Sequence, residues 1–264
     1  MGNDELSELA SSFNSAAEEV RRQIESQAAR ERSLRSFLDG TTHDLMTPLT
    51  VLTGHLSSIA KSIREQSKPE LETVEQAMTE AHYIASLVHN LGAVAKLEAG
   101  EHQIRKDPVV LNELVERVVA RMRPIARLRE VELEYSVSPD RIIVVGDITL
   151  IEQAFSNVVQ NAVKYNHAGG HVAVVLDSTK QGFLLDVIDD GPGIRPEEIP
   201  RLLLPRERGE TARNRDPYGR GLGLSIARQV ADTHGWTIAL GESEYGGLKV
   251  SFEGSIGEEE HPYR

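Results

Sequence analysis

The chain has 264 residues, 39% hydrophobic and 27% charged, which suffices for about two globular domains. Its net charge of −12 argues against a nucleic-acid partner, because binding one requires neutralisation of its phosphates. The absence of cysteine excludes disulfides and thiolate metal sites, and no apolar run approaches the roughly 18 residues of a membrane span, so we expect this chain to stay in water.

The first hundred residues are predicted to be helical. Apolar residues at intervals of three and four predict an amphipathic helix from Asp4 to about Ser36. The next apolar positions alternate in steps of four and three, the heptad seam of a coiled coil or bundle; they are Leu45, Leu49, Leu52, Leu56, Ile59 and Ile63. This pattern ends near Pro69, and a further helix begins at Leu71 and closes before Gly100.

Two amphipathic helices joined by a short connection form an antiparallel hairpin. A hairpin of this kind does not bury a core by itself. The pattern therefore predicts an all-α homodimer in which two hairpins build a four-helix bundle. A hairpin that packs only on its own chain is the alternative.

His43 lies at the head of the heptad repeat, directly before the carboxylate of Asp44. Extending the seam backward places His43 on its shoulder, where the ring faces solvent. Pro48 cannot donate to the Asp44 carbonyl, so a kink is expected just below the histidine. A displayed imidazole beside a carboxylate suits a group that receives a phosphoryl group. An incidental surface role is favoured for the other helical histidines, His55, His82 and His89.

After Pro108 the pattern changes to intermixed helices and strands, which predicts an α+β sandwich of one sheet and one helical layer. Helices are predicted at 111–129, 149–165 and 221–233, and strands at 131–137, 142–145, 171–176, 183–188, 236–240 and 248–252. A loop rich in Arg, Pro and Gly is predicted between them, over residues 191–220.

Two polar clusters in this second domain are candidates for a nucleotide site. Asn157, Asn161 and Lys164 share one helix face. An amide oxygen suits Mg²⁺ and an ammonium suits phosphate, although a solvated helix face is the alternative. The second cluster runs from Asp189 to Gly193 and follows a strand. Its glycines let the backbone approach a planar ligand and its carboxylate accepts a hydrogen bond from an exocyclic amine, although an ordinary turn has the same sequence.

The third cluster opens a helix and reads Gly219-Arg220-Gly221-Leu222-Gly223-Leu224. Glycine amides at a helix N-terminus form an anion site. The dinucleotide fingerprint is excluded because Leu224 occupies its third glycine position, and no Lys-Ser or Lys-Thr follows as in a Walker loop.

The ordered set of the His43 segment and these three clusters resembles the sensor histidine kinases of two-component systems over nearly the whole chain. The resemblance implies the end of a HAMP signalling module at 1–30 and a dimerisation and histidine phosphotransfer domain at 31–100. It implies a Bergerat-type ATP-binding domain, shared with Hsp90, gyrase B and MutL, at 101–256, and an acidic tail at 257–264. It also implies a response-regulator receiver domain as partner and a parent protein anchored in the inner membrane.

The resemblance further implies roles for single residues. His43 would attack the γ-phosphate of ATP, Asp44 would orient its ring, and Thr47 would position a hydrolytic water for phosphatase activity. Mg²⁺ would be bound by Asn161 with Asn157 nearby. The implied ATP-binding residues are Asn157, Asn161, Lys164, Tyr165, Asp189, Gly191, Gly193, Gly219, Gly221, Leu222, Gly223 and Leu224. Three lid arginines, Arg208, Arg213 and Arg215, would reach the phosphates, and a merely solubilising charge run is equally compatible with them.

Two departures from the family pattern keep other functions open. Met46 stands where the family carries Arg or Lys, and the segment 202–209 keeps Pro205 and Gly209 but neither of the usual aromatic residues. A signalling scaffold that binds nucleotide without turnover is therefore one alternative. An Hsp90-type ATPase without phosphohistidine is another, but it leaves the His43 segment unexplained.

Overall fold

A computed structural model describes residues 13, 18, 20–22, 45–98, 104–180, 182–195, 197–202 and 222–257. Several predictions from the sequence lie outside these residues: almost all of the helix over 4–36, and the acidic tail. Of the predicted site residues, His43, Asp44, Arg208, Arg213, Arg215, Gly219 and Gly221 also lie outside, and Leu222 is described by its backbone alone.

The helical hairpin has the predicted form. Helix α1 covers residues 45–64 and helix α2 covers Leu71–Glu98. Helix α1 ends where Gln66 takes a left-handed conformation with φ of 55°, and the Ser67 amide donates back to the Ser62 carbonyl at 2.9 Å. This is the pattern of a left-handed helix cap. The predicted end of the first helix near Pro69 is confirmed.

The heptad seam of α1 is covered on one side only. Leu45, Leu52 and Ile59 are half-buried. The alternate seam positions stay open, with exposed fractions of 46% at Leu49, 53% at Leu56 and 62% at Ile63. On α2 the large apolar side chains of Leu71, Met78 and Val88 are exposed as well. Among the described helices, none is long and apolar enough to cross a bilayer.

The second domain is a mixed sheet with a helical layer. Its elements are β1 (Asp107–Val110), α3 (Leu111–Leu128), β2 (Glu132–Val137), β3 (Ile143–Gly146), α4 (Ile148–Tyr165), β4 (His171–Thr179), β5 (Gly182–Asp189), α5 (Ile199–Leu202), α6 (Leu222–Thr233), β6 (Thr237–Glu242) and β7 (Leu248–Gly254). The five-stranded sheet has the order β2-β4-β5-β7-β6. Strands β2 and β4 are parallel, and the other neighbours are antiparallel.

The sequence therefore predicts the fold class and every long element of this domain correctly. Strand β1 was not predicted. It consists of only Asp-Pro-Val-Val and becomes a strand by pairing with β3, which places Pro108 opposite Val145. The short helix α5 inside the predicted loop was also missed.

Aromatic side chains fill the centre of the core between the sheet and the helices. Phe155 of α4, Phe183 of β5 and Phe252 of β7 are each at most 1% exposed. The Phe155 and Phe252 ring centroids lie 5.2 Å apart, and Phe183 and Trp236 lie 5.0 Å apart, both pairs edge to face. This packing fixes α4, which carries predicted nucleotide residues, against the sheet that contains β5.

Candidate functional site

A buried carboxylate lies at the end of β5. Asp189 is 9% exposed, and its Oδ1 accepts hydrogen bonds from the amides of Gly191 and Leu248, both at 3.0 Å. Burial raises the pKa of Asp189, an effect that these two amides oppose and the neighbouring Asp190 reinforces. Within the described residues Oδ2 accepts no hydrogen bond, so this oxygen is available to a ligand donor.

Glycines surround this carboxylate because no larger residue fits. A Cβ on Gly247 would come within 2.2 Å of the Asp189 carbonyl oxygen and 2.4 Å of Oδ1, and one on Gly191 would lie 3.0 Å from Oδ1. Gly193 has φ of +63°, which favours glycine. Ser243 donates from Oγ to the Asp189 carbonyl at 2.6 Å. Gly247 and Ser243 were not predicted from the sequence.

A second carboxylate connects the end of β5 with the end of α4. Asp190 Oδ1 accepts from the His171 amide at 2.7 Å and from Asn166 Nδ2 at 3.0 Å. Burial alone would raise the pKa of Asp190, but these donors hold it below its ordinary value. Asn166, which follows the predicted Tyr165, thereby fixes the exit of α4 beside the Asp189 segment.

Helix α4 and the start of α6 bring two predicted clusters together. Asn157 is 2% exposed, and Asn161 lies one turn further on. A Cβ on Gly223 would lie 3.3 Å from Asn161 Nδ2 and 3.6 Å from Asn157 Cγ. The glycine therefore lets the first turn of α6 approach the asparagine face of α4. Leu224 is half-buried and packs against the core.

The amide of Asn157 is held by a residue that the sequence analysis did not select. Gln153, four residues earlier on the same face, donates from Nε2 to Asn157 Oδ1 at 3.1 Å. Asn157 Nδ2 is buried and has no hydrogen-bond partner within the described residues. Leaving a buried donor unpaired costs about 1–3 kcal/mol.

Helix α2 of the hairpin lies antiparallel along α4, as four side-chain contacts show. From the start of α2 to its end, these pairs are Tyr83 with Lys164, Ser86 with Gln160, Asn90 with Gln153, and Lys96 with Asp147. The Lys164 Nζ lies 5.2 Å from the Tyr83 ring centroid and 5.5 Å from that of Tyr165. The three hydrogen-bonded or ionic pairs measure 2.7, 2.8 and 2.5 Å in the same order. The hairpin therefore contacts the same helix that carries the predicted magnesium and phosphate residues.

The last of these contacts fixes the start of α4. Asp147 is the N-cap of α4, and its Oδ1 accepts from the amides of Thr149 and Leu150. Burial alone would raise the pKa of Asp147, but Lys96 and the Arg105 and Leu150 amides hold it below its ordinary value. The ammonium therefore connects α2 to the helix cap.

The structure thus assembles two groups of predicted residues. Asp189, Gly191 and Gly193 lie together at the end of β5. Asn157 and Asn161 face Gly223, and Lys164 and Tyr165 follow at the C-terminal end of the same helix. Thr47 lies half-buried on α1.

Amide oxygens are ligands that Mg²⁺ accepts, and the pair of buried Asn157 and half-buried Asn161 fits a cation in donor type. In the present orientation Asn157 Oδ1 accepts from Gln153, and the atom left without a hydrogen-bond partner within the described residues is Nδ2. In the described ranges there is no group of three His, Cys, Asp or Glu side chains that suits a metal ion. The predicted metal site therefore depends on the asparagines.

Comparisons with known proteins agree with this arrangement. Residues 33–100 match the family of the His Kinase A (phospho-acceptor) domain, and residues 146–255 match the histidine kinase-, DNA gyrase B- and HSP90-like ATPase family. The signal transduction histidine-protein kinase BaeS of Escherichia coli (strain K12) is 30% identical over 250 residues, which are 95% of this chain and 51% of BaeS.

Solved structures give the same class. The catalytic domain of histidine kinase ThkA is 26% identical with a TM-score of 0.52, covering 58% of this chain and 96% of that one. The Acinetobacter baumannii histidine kinase AdeS is 22% identical with a TM-score of 0.56, covering 82% of this chain and 98% of that one, and supports the fold alone.

A phosphoacceptor-type helical hairpin followed by an ATPase-type sandwich defines a histidine kinase core. The chain belongs to the sensor histidine kinases of two-component systems. It spans about half the length of the curated relatives it matches.

Proposed function

We propose that this chain is an ATP-dependent autokinase that phosphorylates His43 and passes the phosphoryl group to an aspartate of a response regulator. The observation that carries the proposal is the pairing of a phosphoacceptor-type segment over 33–100 with the buried, glycine-lined carboxylate of Asp189. The carboxylate alone fits an Hsp90-type ATPase equally well, and the phosphoacceptor-type segment favours the kinase over that alternative.

The chemistry is an in-line phosphoryl transfer. A ring nitrogen of His43 attacks the γ-phosphorus of ATP, the bond to the β–γ bridging oxygen breaks, and ADP leaves. The ring proton passes to solvent and a phosphohistidine remains. In the second step an aspartate oxygen of the regulator displaces the histidine nitrogen from phosphorus. Asp44 is proposed to orient the His43 ring before the first step.

The nucleotide roles follow from the donor and acceptor types in the site. Asp189 Oδ2 accepts a hydrogen bond from the adenine amine, since Oδ1 is occupied by two amides. Lys164 and Tyr165, at the C-terminal end of α4, would contact the phosphates and the nucleotide, and Gly219, Gly221 and Gly223 would supply amides toward the phosphates. When bound by Asn161 and Asn157, Mg²⁺ would neutralise charge on the transferring phosphoryl group.

The exposed half of the heptad seam supports a homodimer. Leu49, Leu56 and Ile63 recur every seven residues and remain open on a single chain. A second copy of the hairpin offers the same apolar stripe, and two such stripes close a four-helix bundle. We propose this dimer as the functional form.

Two further roles are proposed from the family. Thr47, on the first described turn of α1, positions a water for hydrolysis of the phosphorylated regulator. The parent protein is proposed to be a sensor anchored in the inner membrane, with this chain on the cytoplasmic side.

Incubation with γ-labelled ATP and Mg²⁺ tests the proposal. We expect an acid-labile, alkali-stable label that disappears in His43→Gln and persists in His55→Gln, a control histidine on helix α1. Label that survives in His43→Gln would contradict the assignment. Nucleotide binding by the unaltered chain without any label would favour the scaffold alternative.

A further inference from the structure

Three side-chain amides form a chain from the hairpin to the nucleotide helix. Gln153 Nε2 donates to Asn90 Oδ1 on α2 at 2.8 Å and to Asn157 Oδ1 at 3.1 Å. Asn90 is 8% exposed and Asn157 is 2% exposed. These hydrogen bonds are therefore sheltered from water, and the orientation of one amide constrains the next.

The present orientation of Asn157 is unsuited to a cation. Its oxygen, the only atom of the amide that binds a metal, is engaged by Gln153. Its nitrogen is the buried atom without a partner in the described part of the chain. A half-turn of this amide would present the oxygen instead, but it would also bring Asn157 Nδ2 against Gln153 Nε2. Two donors cannot bond each other, so Gln153 must turn as well, and Asn90 must follow it.

We propose that Gln153 is a positioning residue that couples the predicted Mg²⁺ site to α2 through a joint reversal of these three amides. The inference rests on the nucleotide and Mg²⁺ use proposed above. In the reversed arrangement Gln153 Oε1 accepts from Asn90 Nδ2 and from Asn157 Nδ2, so the buried unpaired donor gains a partner. The oxygen and nitrogen of each amide only exchange places, so the packing of α2 on α4 does not change.

The coupling is reciprocal. A cation on Asn157 favours one orientation of Asn90, and the orientation of Asn90 sets the affinity for the cation by the same factor. Events on the dimerisation hairpin thereby reach the nucleotide site without a displacement of either helix.

Two isosteric substitutions with the same change of charge separate this mechanism from simpler ones. Gln153→Glu offers only acceptors to its neighbours and fixes the reversed arrangement. Asn90→Asp offers only acceptors to Gln153 Nε2 and fixes the arrangement seen here. A purely electrostatic effect on Mg²⁺ would shift both variants in the same direction. Ser86→Ala is the matched control, because it removes the neighbouring hydrogen bond between α2 and α4 and leaves the three amides intact.

The experiment measures the Kd of a fluorescent ATP analogue with and without Mg²⁺ for each protein. The Kd without Mg²⁺ divided by the Kd with Mg²⁺ reports how strongly Mg²⁺ promotes binding. We expect this ratio to rise about 3–10-fold in Gln153→Glu, to fall by a similar factor in Asn90→Asp, and to stay unchanged in Ser86→Ala. A shift of both variants in one direction, or no shift, would overturn the coupling. Failure of the unaltered chain to bind the analogue would instead contradict the proposed function.

A measurement on the unaltered chain does not depend on how the variants fold. Side-chain amide resonances are followed by NMR while Mg²⁺ is added to protein saturated with a non-hydrolysable ATP analogue. We expect the Asn157, Gln153 and Asn90 amide signals to shift together. The signal of the Gln160 amide, which accepts a hydrogen bond from Ser86, should stay in place. An Asn90 signal that does not respond would overturn the proposal.

Discussion

The helical hairpin and the sheet-helix domain bury their apolar residues to different degrees. In the sheet-helix domain, Phe155, Phe183 and Phe252 are at most 1% exposed. In the hairpin, the seam residues Leu56 and Ile63 are 53% and 62% exposed. The sheet-helix domain is complete within one chain, whereas the hairpin is expected to become complete only by association. The stability of the sheet-helix domain is therefore expected to be independent of protein concentration. The stability of the hairpin is expected to rise with protein concentration.

The largest expected effect is in the core of the complete domain. Phe155→Ala removes a ring that packs on Phe252 and Trp236, and we expect a loss of about 3–5 kcal/mol in the free energy of unfolding. Leu56→Ala, on the open seam, is the comparison and should leave the unfolding of this domain unchanged. Denaturant unfolding followed by tryptophan fluorescence measures both. An equal loss of unfolding free energy in the two variants would contradict the difference between the closed core of this domain and the open seam of the hairpin.

A charge on the open seam should break the dimer. Leu56→Glu places carboxylates in the proposed bundle core, which we expect to cost about 3 kcal/mol and to weaken association more than about 100-fold. Sedimentation velocity measures the shift from dimer to monomer. Val51→Glu is the matched control, because Val51 is 41% exposed on the same helix but lies outside the seam. Dissociation of the Val51 variant alone would show that another face associates.

In the catalytic domain, a change at Asp189 should separate ligand binding from stability. Asp189→Asn keeps an oxygen for the Gly191 and Leu248 amides but loses the charged Oδ2 that is proposed to accept the adenine amine. We expect about 10–100-fold weaker nucleotide binding. Stability at neutral pH should not fall, because burial already disfavours the ionised form. Isothermal titration and thermal unfolding measure the two effects.

The pH dependence of binding follows from the same carboxyl group. The pKa of Asp189 is raised above the ordinary value of an aspartate. Its ionised form is therefore lost at a higher pH than that of an ordinary aspartate as the solution is acidified. Nucleotide affinity should therefore weaken with acidification, and Asp189→Asn should show a flatter profile. Identical profiles in the two proteins would contradict the role of the carboxylate.

The smallest effect is expected where the two regions meet. Lys96→Met removes the ammonium from the buried Asp147, at an expected cost of about 1–2 kcal/mol. The pKa of Asp147 is lowered in the folded state, so the ionised carboxylate stabilises the fold at neutral pH and this contribution is lost as pH falls through that lowered value. Without Lys96 the loss on acidification should be smaller.

Thermal unfolding at neutral and acidic pH measures this difference. Lys61→Met is the control, because the Lys61 side chain is 72% exposed in its pair with Glu65. An unchanged acid response in Lys96→Met would contradict the role of the ion pair at the helix cap.

The sequence predicts what local periodicity determines. The heptads of α1 and the alternation in β2 are properties of neighbouring residues, so these elements follow from the pattern. Strand β1 depends on its pairing with β3 and was missed. Gly247 reaches Asp189 only because β5 and β7 are adjacent in the sheet. The bond from Gln153 to Asn90 joins residues 63 positions apart, although the position of Gln153 four residues before Asn157 was a signal for the same helix face.

The central claim is that the two regions act together, the sheet-helix domain supplying ATP and the hairpin receiving its phosphoryl group. The most direct measurement is the initial rate of His43 labelling from γ-labelled ATP at limiting concentration in the unaltered chain, Asp189→Asn and Asp186→Asn. Asp186 is a matched buried carboxylate on the same strand, paired with Lys249. We predict a loss of labelling in Asp189→Asn and near-normal labelling in Asp186→Asn. Undiminished labelling in Asp189→Asn would contradict the account.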